Sequence, residues 1–442
     1  MVHRFEALGL KLALDVGSGA LHQLDGAAFD ALCPDEAERV RLLSHYPAEI
    51  VASTLSELDA LKRRGELDSP DDYDASLLHE PGVVKAMCLH AAHDCNLRCR
   101  YCFAHDGTYS DPTKARMPAS VGKAALDWLI EKSGQRHALE ADFFGGEPLL
   151  NLPAVKDIVA YGRQRERETG KHISFTITTN ALGLTDDAIQ FINDEMDNVV
   201  LSLDGRKEIH DRMRPDAGGH GSFERALDGA RRLVAGRNGK PYYVRGTFTA
   251  FNLDFIQDVL ALVDAGFEHV SVEPVVADES EPYALRMEHL PRILTEYDNL
   301  ALEYAKRRQC GRPFSFFHFN VDLENGPCLR KRLTGCGAGN EYVAVTPEGK
   351  LYPCHQFVGR DGFEMGDALT GAFDGEKQRH FADNHVLAKP RCRECWAKYF
   401  CSGGCAANAF AMNGRLDEPY ELACAMQRKR LELALALNAM DV

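Results

Sequence analysis

The segment DCNLRCRYCF, residues 94–103, contains three cysteines in the pattern Cys-x3-Cys-x2-Cys. Thiolates this close together are ligands for iron–sulfur clusters or zinc. The familiar ferredoxin pattern supplies four cysteines to a [4Fe–4S] cluster, whereas Cys95, Cys99 and Cys102 supply only three. One iron would then stay open to a substrate or cofactor, as one coordination position stays open in catalytic zinc sites. A partial zinc site is the alternative that the three cysteines alone leave open.

Most of the remaining cysteines lie towards the C-terminal end of the chain. The sequence has 14 cysteines, and clustered thiols in a reduced cell indicate metal ligands rather than disulfides. The C-terminal set consists of Cys328, Cys336, Cys354, Cys392, Cys395, Cys401, Cys405 and Cys424. Cys33, Cys88 and Cys310 stand alone in the sequence, and we expect them to be buried as small hydrophobic residues.

The composition indicates a globular chain of 442 residues and 49.0 kDa, which is long enough for two or three domains. The formal net charge of −15 argues against a nucleic-acid backbone as the main partner. No stretch approaches the ~20 apolar residues that cross a bilayer. The start of the chain lacks the apolar core of a signal peptide. We therefore expect a cytoplasmic protein with no nucleic-acid partner and no membrane partner.

From about residue 83 to residue 310, apolar segments typical of strands alternate with amphipathic segments typical of helices. The predicted strands are VVKAMCLHA, ADFFGG, ISFTITTN, NVVLSLDG, YYVRGTFTA and HVSVEPVVA. Six strands that are each followed by a helix predict right-handed crossovers and a parallel sheet. Because eight such units make a complete TIM barrel, six indicate a partial, open (β/α)6 barrel of the α/β class.

Polar or glycine-containing motifs follow five of the six predicted strands. They are CNLRCRYC after the first strand, GGEP after the second, TTN after the third, SLDG after the fourth and EP after the sixth. The carboxyl ends of the strands in such a barrel share one rim, and the chemistry of these folds lies there. The motifs therefore predict an active site at this rim, with the three-cysteine loop as part of it.

The first 80 residues predict a separate module of two strands joined at GSG and three helices, which resembles a winged helix. Winged helices often bind DNA, but this module has 7 Lys+Arg against 16 Asp+Glu. Protein or peptide recognition is therefore the prediction. We expect a linker at residues 69–76, domains at residues 1–80, 81–310 and 311–442, and a final amphipathic helix that serves packing.

The three-cysteine loop and the rim motifs resemble the radical S-adenosylmethionine (SAM) superfamily. The resemblance implies that the open iron binds the amino and carboxylate groups of SAM. Reductive cleavage of SAM then gives a 5′-deoxyadenosyl radical that abstracts hydrogen from a substrate. It implies cluster ligands at Cys95, Cys99 and Cys102, and SAM contacts at Tyr101, Gly145, Gly146, Glu147, Thr179, Asn180, Ser202 and Asp204. Arg214 and Glu273 match the family less specifically.

The C-terminal cysteines, with Gly349 before the YPC segment, resemble the SPASM domain, which carries two auxiliary [4Fe–4S] clusters. With the loop cluster, the chain would hold three [4Fe–4S] clusters. The resemblance assigns Cys336, Cys354 and Cys405 to the first auxiliary cluster, and Cys392, Cys395, Cys401 and Cys424 to the second. The first cluster lacks a fourth thiolate, which leaves Cys328, a substrate group or an open iron as alternatives. A zinc ribbon is the alternative to this domain.

The whole arrangement, including HRFEALGLKLALDVGSGALHQLD and GNEYVAVTPEGKLYPCHQF, resembles the SCIFF (six-cysteine peptide, ranthipeptide) maturases. These enzymes join a cysteine sulfur to a carbon of another residue. The resemblance implies a cysteine-rich precursor peptide bound through its leader, and a reducing electron donor such as a ferredoxin or flavodoxin. His355 occupies the position at which the anaerobic sulfatase maturases carry an aspartate, and no residue is assigned as the general base.

Three alternatives to thioether formation remain open at this point. The first is an activity like that of the sulfatase maturases, and the second is carbon–carbon cross-linking by a radical SAM enzyme. The third is a non-catalytic iron–sulfur or zinc protein that binds a peptide.

Overall fold

The computed structural model describes residues 1–71, 73, 78, 82–110, 112–323 and 328–440. Much of the predicted linker at residues 69–76, and the predicted domain boundary at residue 80, lie outside the described residues. In the part of the chain that is described, no helix combines the length and the apolar character needed to cross a membrane.

The N-terminal module is a three-stranded antiparallel sheet followed by three helices. Its elements are β1 Val2–Ala7, β2 Leu10–Asp15, β3 Leu21–Leu24, α1 Gly26–Ala31, α2 Glu36–Leu43 and α3 Ala48–Arg64. The prediction of a single strand pair joined at GSG is wrong. Leu8 (φ 52°) and Gly9 (φ 80°) form a two-residue turn, so RFEALGLKLALDV is itself a hairpin. The GSG segment instead joins β2 to β3.

The remaining described strands form one sheet with the order β10-β9-β8-β7-β6-β5-β4-β11-β12-β13-β14. The strands are β4 Ala86–Ala92, β5 Ala138–Gly145, β6 His172–Thr179, β7 Asn198–Ser202, β8 Tyr243–Phe248, β9 His269–Pro274, β10 Ser315–Phe316, β11 Tyr342–Val345, β12 Lys350–Tyr352, β13 Gly366–Asp367 and β14 Ala372–Phe373. Strands β4 to β9 are the six predicted strands, and each pairs in parallel with the next. The predicted α/β fold with a parallel sheet is confirmed.

Every strand from β4 to β9 is followed by a helix, as predicted. These helices are α4 Ala119–Lys132, α5 Leu152–Thr169, α6 Asp186–Glu195, α7 Lys207–Met213, α8 Phe223–Ala235, α9 Ile256–Asp264 and α10 Leu290–Gln309. Large apolar side chains of the sheet, among them Phe143, Phe175 and Phe248, are completely buried. This core is rigid enough to hold the strand ends, and the polar motifs beyond them, in a fixed order.

The C-terminal region continues the same sheet, because β11 pairs in parallel with β4. Its helices are α11 Leu329–Thr334, α12 Gly375–Ala382, α13 Pro390–Arg393, α14 Lys398–Cys401, α15 Ala406–Asn413 and α16 Glu421–Ala439. The final helix α16 packs along α10 and buries Leu433 and Leu435, as predicted. It also carries Cys424 and the buried Arg430, so packing is not its whole role.

The isolated cysteines do not all behave as expected. Cys33 and Cys88 are buried, as predicted. The prediction that Cys310 is buried is wrong, because this residue is exposed at the C-terminal end of α10. The last turn of that helix contains Lys306, Arg307 and Arg308, whose charges favour exposure to water.

Candidate active site

A cavity of about 790 Å³ opens at the carboxyl ends of the parallel strands. One wall is the three-cysteine loop, which follows β4, together with the ends of β5 to β9. The opposite wall comes from the C-terminal region and from α16. Of the predicted SAM contacts, all but Asp204 line this cavity, namely Tyr101, Gly145, Gly146, Glu147, Thr179, Asn180 and Ser202.

The three-cysteine loop presents its thiols to the cavity. Burial raises the pKa of Cys95 and of Cys99 to about 12, and Cys95 also senses the charges of Cys99 and Cys102. The loop is held by its own backbone, since the Leu97 N–H donates to Cys95 Sγ over 3.4 Å. Thiols with so high a pKa stay protonated at neutral pH unless a bound cation stabilises the thiolate.

The glycines of GGEP bring the end of β5 against the three-cysteine loop. A Cβ atom on Gly145 would lie 2.4 Å from the Ala92 carbonyl oxygen, and one on Gly146 would lie 2.2 Å from the Asp94 carbonyl oxygen. The Glu147 N–H donates to the Asp94 carbonyl over 2.9 Å. Glycine is therefore needed at both positions for contact between the loop and the strand end.

Glu147 is a buried carboxylate that neighbouring strand ends hold in place. Its Oε1 accepts hydrogen bonds from Thr179 Oγ1 (2.7 Å) and from the Leu149 N–H (3.1 Å), and its Oε2 accepts one from the Asn180 N–H (2.8 Å). Burial nevertheless raises the pKa of Glu147 to about 7. A cationic group in the cavity, such as an ammonium, would favour the charged carboxylate.

Asp204 joins three parts of the rim from behind the cavity wall. Its carboxylate is completely buried and accepts hydrogen bonds from the Tyr101 hydroxyl, from the Arg214 guanidinium (2.9 Å) and from the Thr247 N–H (2.9 Å). The structure thus gives Asp204 a positioning role, whereas a direct contact between Asp204 and SAM stays a prediction. Tyr101 and Arg214 themselves face the cavity.

These groups fit a [4Fe–4S] cluster with SAM. The three thiols match the three irons that a loop of this pattern ligates. Arg214 Nε is buried and has no hydrogen-bond acceptor among the described residues, and a carboxylate such as that of SAM would supply one. Glu147 offers the complementary acceptor for an ammonium. Across the described ranges, no three His, Cys, Asp or Glu side chains are placed to hold a single metal ion.

The first C-terminal group comprises Cys336, Cys354 and Cys405. Burial raises the pKa of Cys354 well above its usual value, and the nearby Cys405 and Cys336 raise it further, so the three thiols lie close together. Cys336 and Cys405 line the cavity. Cys328 is exposed and precedes α11, while Cys336 follows the other end of that helix. A six-residue helix rises about 9 Å, so the two cysteines lie well apart.

The second C-terminal group comprises Cys392, Cys395, Cys401 and Cys424. Burial raises the pKa of Cys392, and Cys401 and Cys395 contribute to the same shift. Burial likewise raises the pKa of Cys424 to about 11, with contributions from Cys401 and Cys392. The four cysteines that the resemblance assigned to one cluster line one small pocket, although they come from α13, α14, α16 and the segment between α13 and α14.

Several cavity residues escaped the sequence analysis, because they come from distant parts of the chain. His318 lies between Glu273 (Nε2 to Oε1, 3.0 Å) and Arg430 (2.9 Å), and Arg245 lines the same wall. Although burial alone would raise it, the pKa of Glu273 is held well below its usual value by His318, Arg245 and Arg430. Apart from the EP motif at Glu273, no local pattern marks these positions.

His355 faces the cavity from the C-terminal wall. Its ring stacks on Phe144 with ring centroids 4.9 Å apart, and the Phe103 ring is tilted against it with centroids 5.4 Å apart. Burial lowers the pKa of His355 to about 4, so the imidazole is neutral at pH 7.

Comparison with known proteins agrees with this geometry. The sequence model of the radical SAM superfamily matches residues 91–241, and that of the SPASM iron–sulfur cluster-binding domain matches residues 336–396. A cysteine-type anaerobic sulfatase-maturating enzyme of Clostridium novyi is 26% identical over 341 residues, which cover 72% of this chain and 86% of that enzyme.

Two solved structures share the fold. Native anSMEcpe with bound AdoMet and the Cp18Cys peptide has a TM-score of 0.66 and 19% identity, covering 80% of this chain and 99% of that chain. Streptococcus suis SuiB bound to the precursor peptide SuiA has a TM-score of 0.54 and 16% identity, covering 94% and 97%. The sequence matches and the shared fold thus support a radical SAM domain over residues 91–241 that is joined to a SPASM domain over residues 336–396.

Proposed function

We propose that this enzyme joins cysteine sulfur to a carbon of another residue in a ribosomally made, cysteine-rich peptide. The observation that carries the proposal is the first C-terminal group. Cys336 and Cys405 face the cavity, while Cys328 lies at the far end of α11. A cluster held there by three thiols has a fourth position open towards the cavity, where a substrate thiolate can bind.

Three [4Fe–4S] clusters and SAM are the cofactors of this proposal. When bound at the rim, the loop cluster and SAM supply a 5′-deoxyadenosyl radical that takes hydrogen from a substrate carbon. The chain's own groups orient SAM, with Glu147 accepting from its ammonium, Arg214 donating to its carboxylate and Tyr101 lining its site. Asp204 fixes Tyr101 and Arg214, so SAM enters a site whose polar groups are already in place.

The C-terminal wall receives the substrate cysteine in this proposal. Phe103, Phe144 and His355 form an aromatic surface in the cavity that Cys336 also lines. Binding to iron lowers the pKa of a thiol, and the neutral His355 ring lines the cavity in which that thiol would bind. A cluster held by Cys336, Cys354 and Cys405 would also supply an acceptor for the electron that remains after the carbon–sulfur bond forms.

The N-terminal module binds the leader of the precursor peptide in this proposal. A three-stranded sheet with edge strands β1 and β3 can accept a peptide as an additional strand. The solved complex of SuiB with its precursor peptide, whose fold covers 94% of this chain, supports a peptide substrate. A ferredoxin or flavodoxin is the proposed electron donor.

The main alternative is a sulfatase-maturase-like activity, and one observation favours it. The Clostridium novyi relative is named a sulfatase-maturating enzyme and is similar over 72% of this chain. The N-terminal module argues for a leader-bearing substrate instead, because the anSMEcpe fold covers 80% of this chain whereas the SuiB fold covers 94%. Carbon–carbon cross-linking is a further alternative, and the same experiment separates all three.

The test is co-expression with the short cysteine-rich peptide encoded nearest to the gene, followed by tandem mass spectrometry. Thioether formation predicts the loss of two hydrogens per cross-link, loss of the matching free thiols, and fragments that place each bond between sulfur and carbon. Formylglycine without a cross-link, or a carbon–carbon bond with all thiols intact, would overturn the proposal. Zinc in place of about twelve irons would overturn the enzyme assignment itself.

A further inference from the structure

The N-terminal module touches the C-terminal region at a particular short segment, residues 396–400. We call it the ligand span, because it lies between Cys395 and Cys401 of the second C-terminal group. On β1, the His3 ring stacks on Trp396 with the ring centroids 3.9 Å apart and the planes within 5°. His3 Nε2 also lies 3.0 Å from Glu432 Oε1 on α16.

A second set of contacts holds the same segment from the end of the module. The Asp71 carboxylate accepts hydrogen bonds from Lys398 Nζ and from the Tyr399 hydroxyl. Tyr73 packs edge-on against Tyr399 with ring centroids 4.8 Å apart. The Lys398 side chain is only 3% exposed, so Asp71 supplies the counter-charge of a buried ammonium.

Three of the five residues in the ligand span are therefore held by the N-terminal module. Both neighbours of the span in sequence are cysteines of the second group, and α14 begins at Lys398 and ends at Cys401. A shift of Trp396 would move Cys395, to which it is joined directly, and a shift of Lys398 would move Cys401, which lies one helical turn further along α14. The contacts with the N-terminal module therefore lie on the segment whose position sets the positions of the Cys395 and Cys401 thiols.

We infer that the N-terminal module is a clamp on the ligand span, so that its docking and the loading of the second auxiliary cluster stabilise each other. If docking favours the cluster-bound arrangement of the span, a bound cluster must favour docking by the same factor. The inference rests on the proposed function only in assigning a [4Fe–4S] cluster to Cys392, Cys395, Cys401 and Cys424. It requires no peptide chemistry.

If the N-terminal module binds the leader peptide, as in the proposed function, the clamp would couple leader binding to the second auxiliary cluster. A leader bound to the module would be linked to the second auxiliary cluster through His3 and Asp71, without touching the cluster. These two are positioning residues, since they act through Trp396, Lys398 and Tyr399.

The test compares hydrogen exchange at β1 in the reconstituted full-length enzyme and in Cys424→Ser, which removes one ligand of the second group from α16. Iron analysis and Mössbauer spectroscopy first establish that only the second cluster is altered. The clamp predicts that β1 amides exchange about 5- to 150-fold faster in Cys424→Ser, the range of ordinary coupling between two sites. Equal exchange in the two proteins would overturn it.

The reciprocal test measures the rate at which a chelator removes iron from the second cluster. Asp71→Asn and His3→Ala should accelerate this loss relative to the parent enzyme. Matched controls are Asp68→Asn and Glu6→Gln, which alter exposed ion pairs of the same module with Lys62 and Lys11 and do not touch the ligand span. Unchanged iron release in both test variants, or equal acceleration by the controls, would contradict the clamp.

The outcomes separate this inference from the proposed function. Neither measurement contains a peptide, so a failure to form thioethers leaves both results interpretable. If iron analysis finds no cluster at the second group in the parent enzyme, both the cofactor assignment and the clamp fail at that first step. If the cluster is present and β1 is indifferent to it, the clamp alone fails.

Discussion

The rim of the parallel sheet and the C-terminal cysteine region hold their functional groups in different ways. At the rim, buried carboxylates such as Glu147 and Asp204 are bonded to groups from neighbouring strand ends, so the site is assembled by the sheet. In the C-terminal region, the thiols are carried by short helices such as α13 and α14, which have four residues each. Such short helices are unstable alone, and we therefore propose that this region is stabilised by its clusters and by the N-terminal module.

The largest effect is expected when a thiol is removed from the rim, and this change also tests whether the two regions are independent. Cys99→Ala should abolish SAM cleavage, because the loop cluster loses one of its three ligands. About eight of about twelve irons should remain, because the C-terminal groups use different cysteines. Iron analysis and assay of 5′-deoxyadenosine measure the two quantities. Retained SAM cleavage would contradict the assignment of the loop, and loss of all iron would contradict the independence of the two regions.

A second prediction tests whether the sheet assembles the rim through Asp204. Asp204→Asn removes the charge that pairs with the buried Arg214, and we expect unfolding free energy to fall by about 3–5 kcal/mol. SAM affinity should fall as well, since Tyr101 and Arg214 lose their common anchor. Urea unfolding and SAM titration measure the two effects.

The matched control for Asp204→Asn is Asp187→Asn, which breaks an exposed pair with Lys156. This change should cost no more than about 1 kcal/mol. An equal loss of unfolding free energy in both variants would show that the Asp204 carboxylate contributes no more than an exposed ion pair. It would contradict the claim that Asp204 holds the rim together.

The third prediction concerns the pH dependence of the rim. Burial raises the pKa of Glu147 from 4.5 to about 7, so the folded protein binds a proton more tightly than the unfolded chain. Protonation of Glu147 therefore contributes to the free energy of unfolding. This contribution is fully present below pH about 4.5 and is lost as the pH rises through about 7, a change of about 3 kcal/mol. Urea unfolding across this range should show the decline in metal-free protein, and Glu147→Gln should reduce it. If the free energy of unfolding fell as steeply with pH in Glu147→Gln as in the parent protein, the decline would not come from Glu147.

The smallest expected effect lies in the C-terminal region. Cys328→Ser should leave the iron content unchanged and alter SAM cleavage by less than about twofold, because α11 separates Cys328 from Cys336. Iron analysis and the 5′-deoxyadenosine assay provide the measurement. The matched control is Cys336→Ser, which should remove or convert the first auxiliary cluster. A loss of iron in Cys328→Ser as large as in Cys336→Ser would assign the fourth ligand to Cys328.

The parts of the fold that follow from local pattern were predictable. Strands β4 to β9 are apolar runs, of which β4 is buried along its whole length, and their carboxyl ends bear the motifs that line the cavity. The first hairpin was missed because Leu8 and Gly9 interrupt an apolar run less visibly than GSG does. A left-handed leucine gives no composition signal.

The groups that escaped prediction depend on contacts between distant segments. Asp204 was expected to touch SAM, yet its partners Tyr101 and Thr247 lie 103 and 43 residues away in sequence. His318 and Arg430 meet across 112 residues. Motif spacing predicts which residues reach one rim, but the hydrogen-bonding direction of a buried side chain is decided by tertiary packing.

The most direct test of the account is spectroscopy of the first auxiliary cluster in the parent enzyme, with and without the cysteine-rich peptide. Electron paramagnetic resonance and iron Mössbauer spectra should show one iron of unusual coordination, and the peptide should convert it to full thiolate ligation. A peptide whose cysteines are replaced by serine should leave the spectra unchanged. Four thiolate ligands before any peptide is added, or no response to the cysteine-bearing peptide, would contradict an open iron that receives the substrate sulfur.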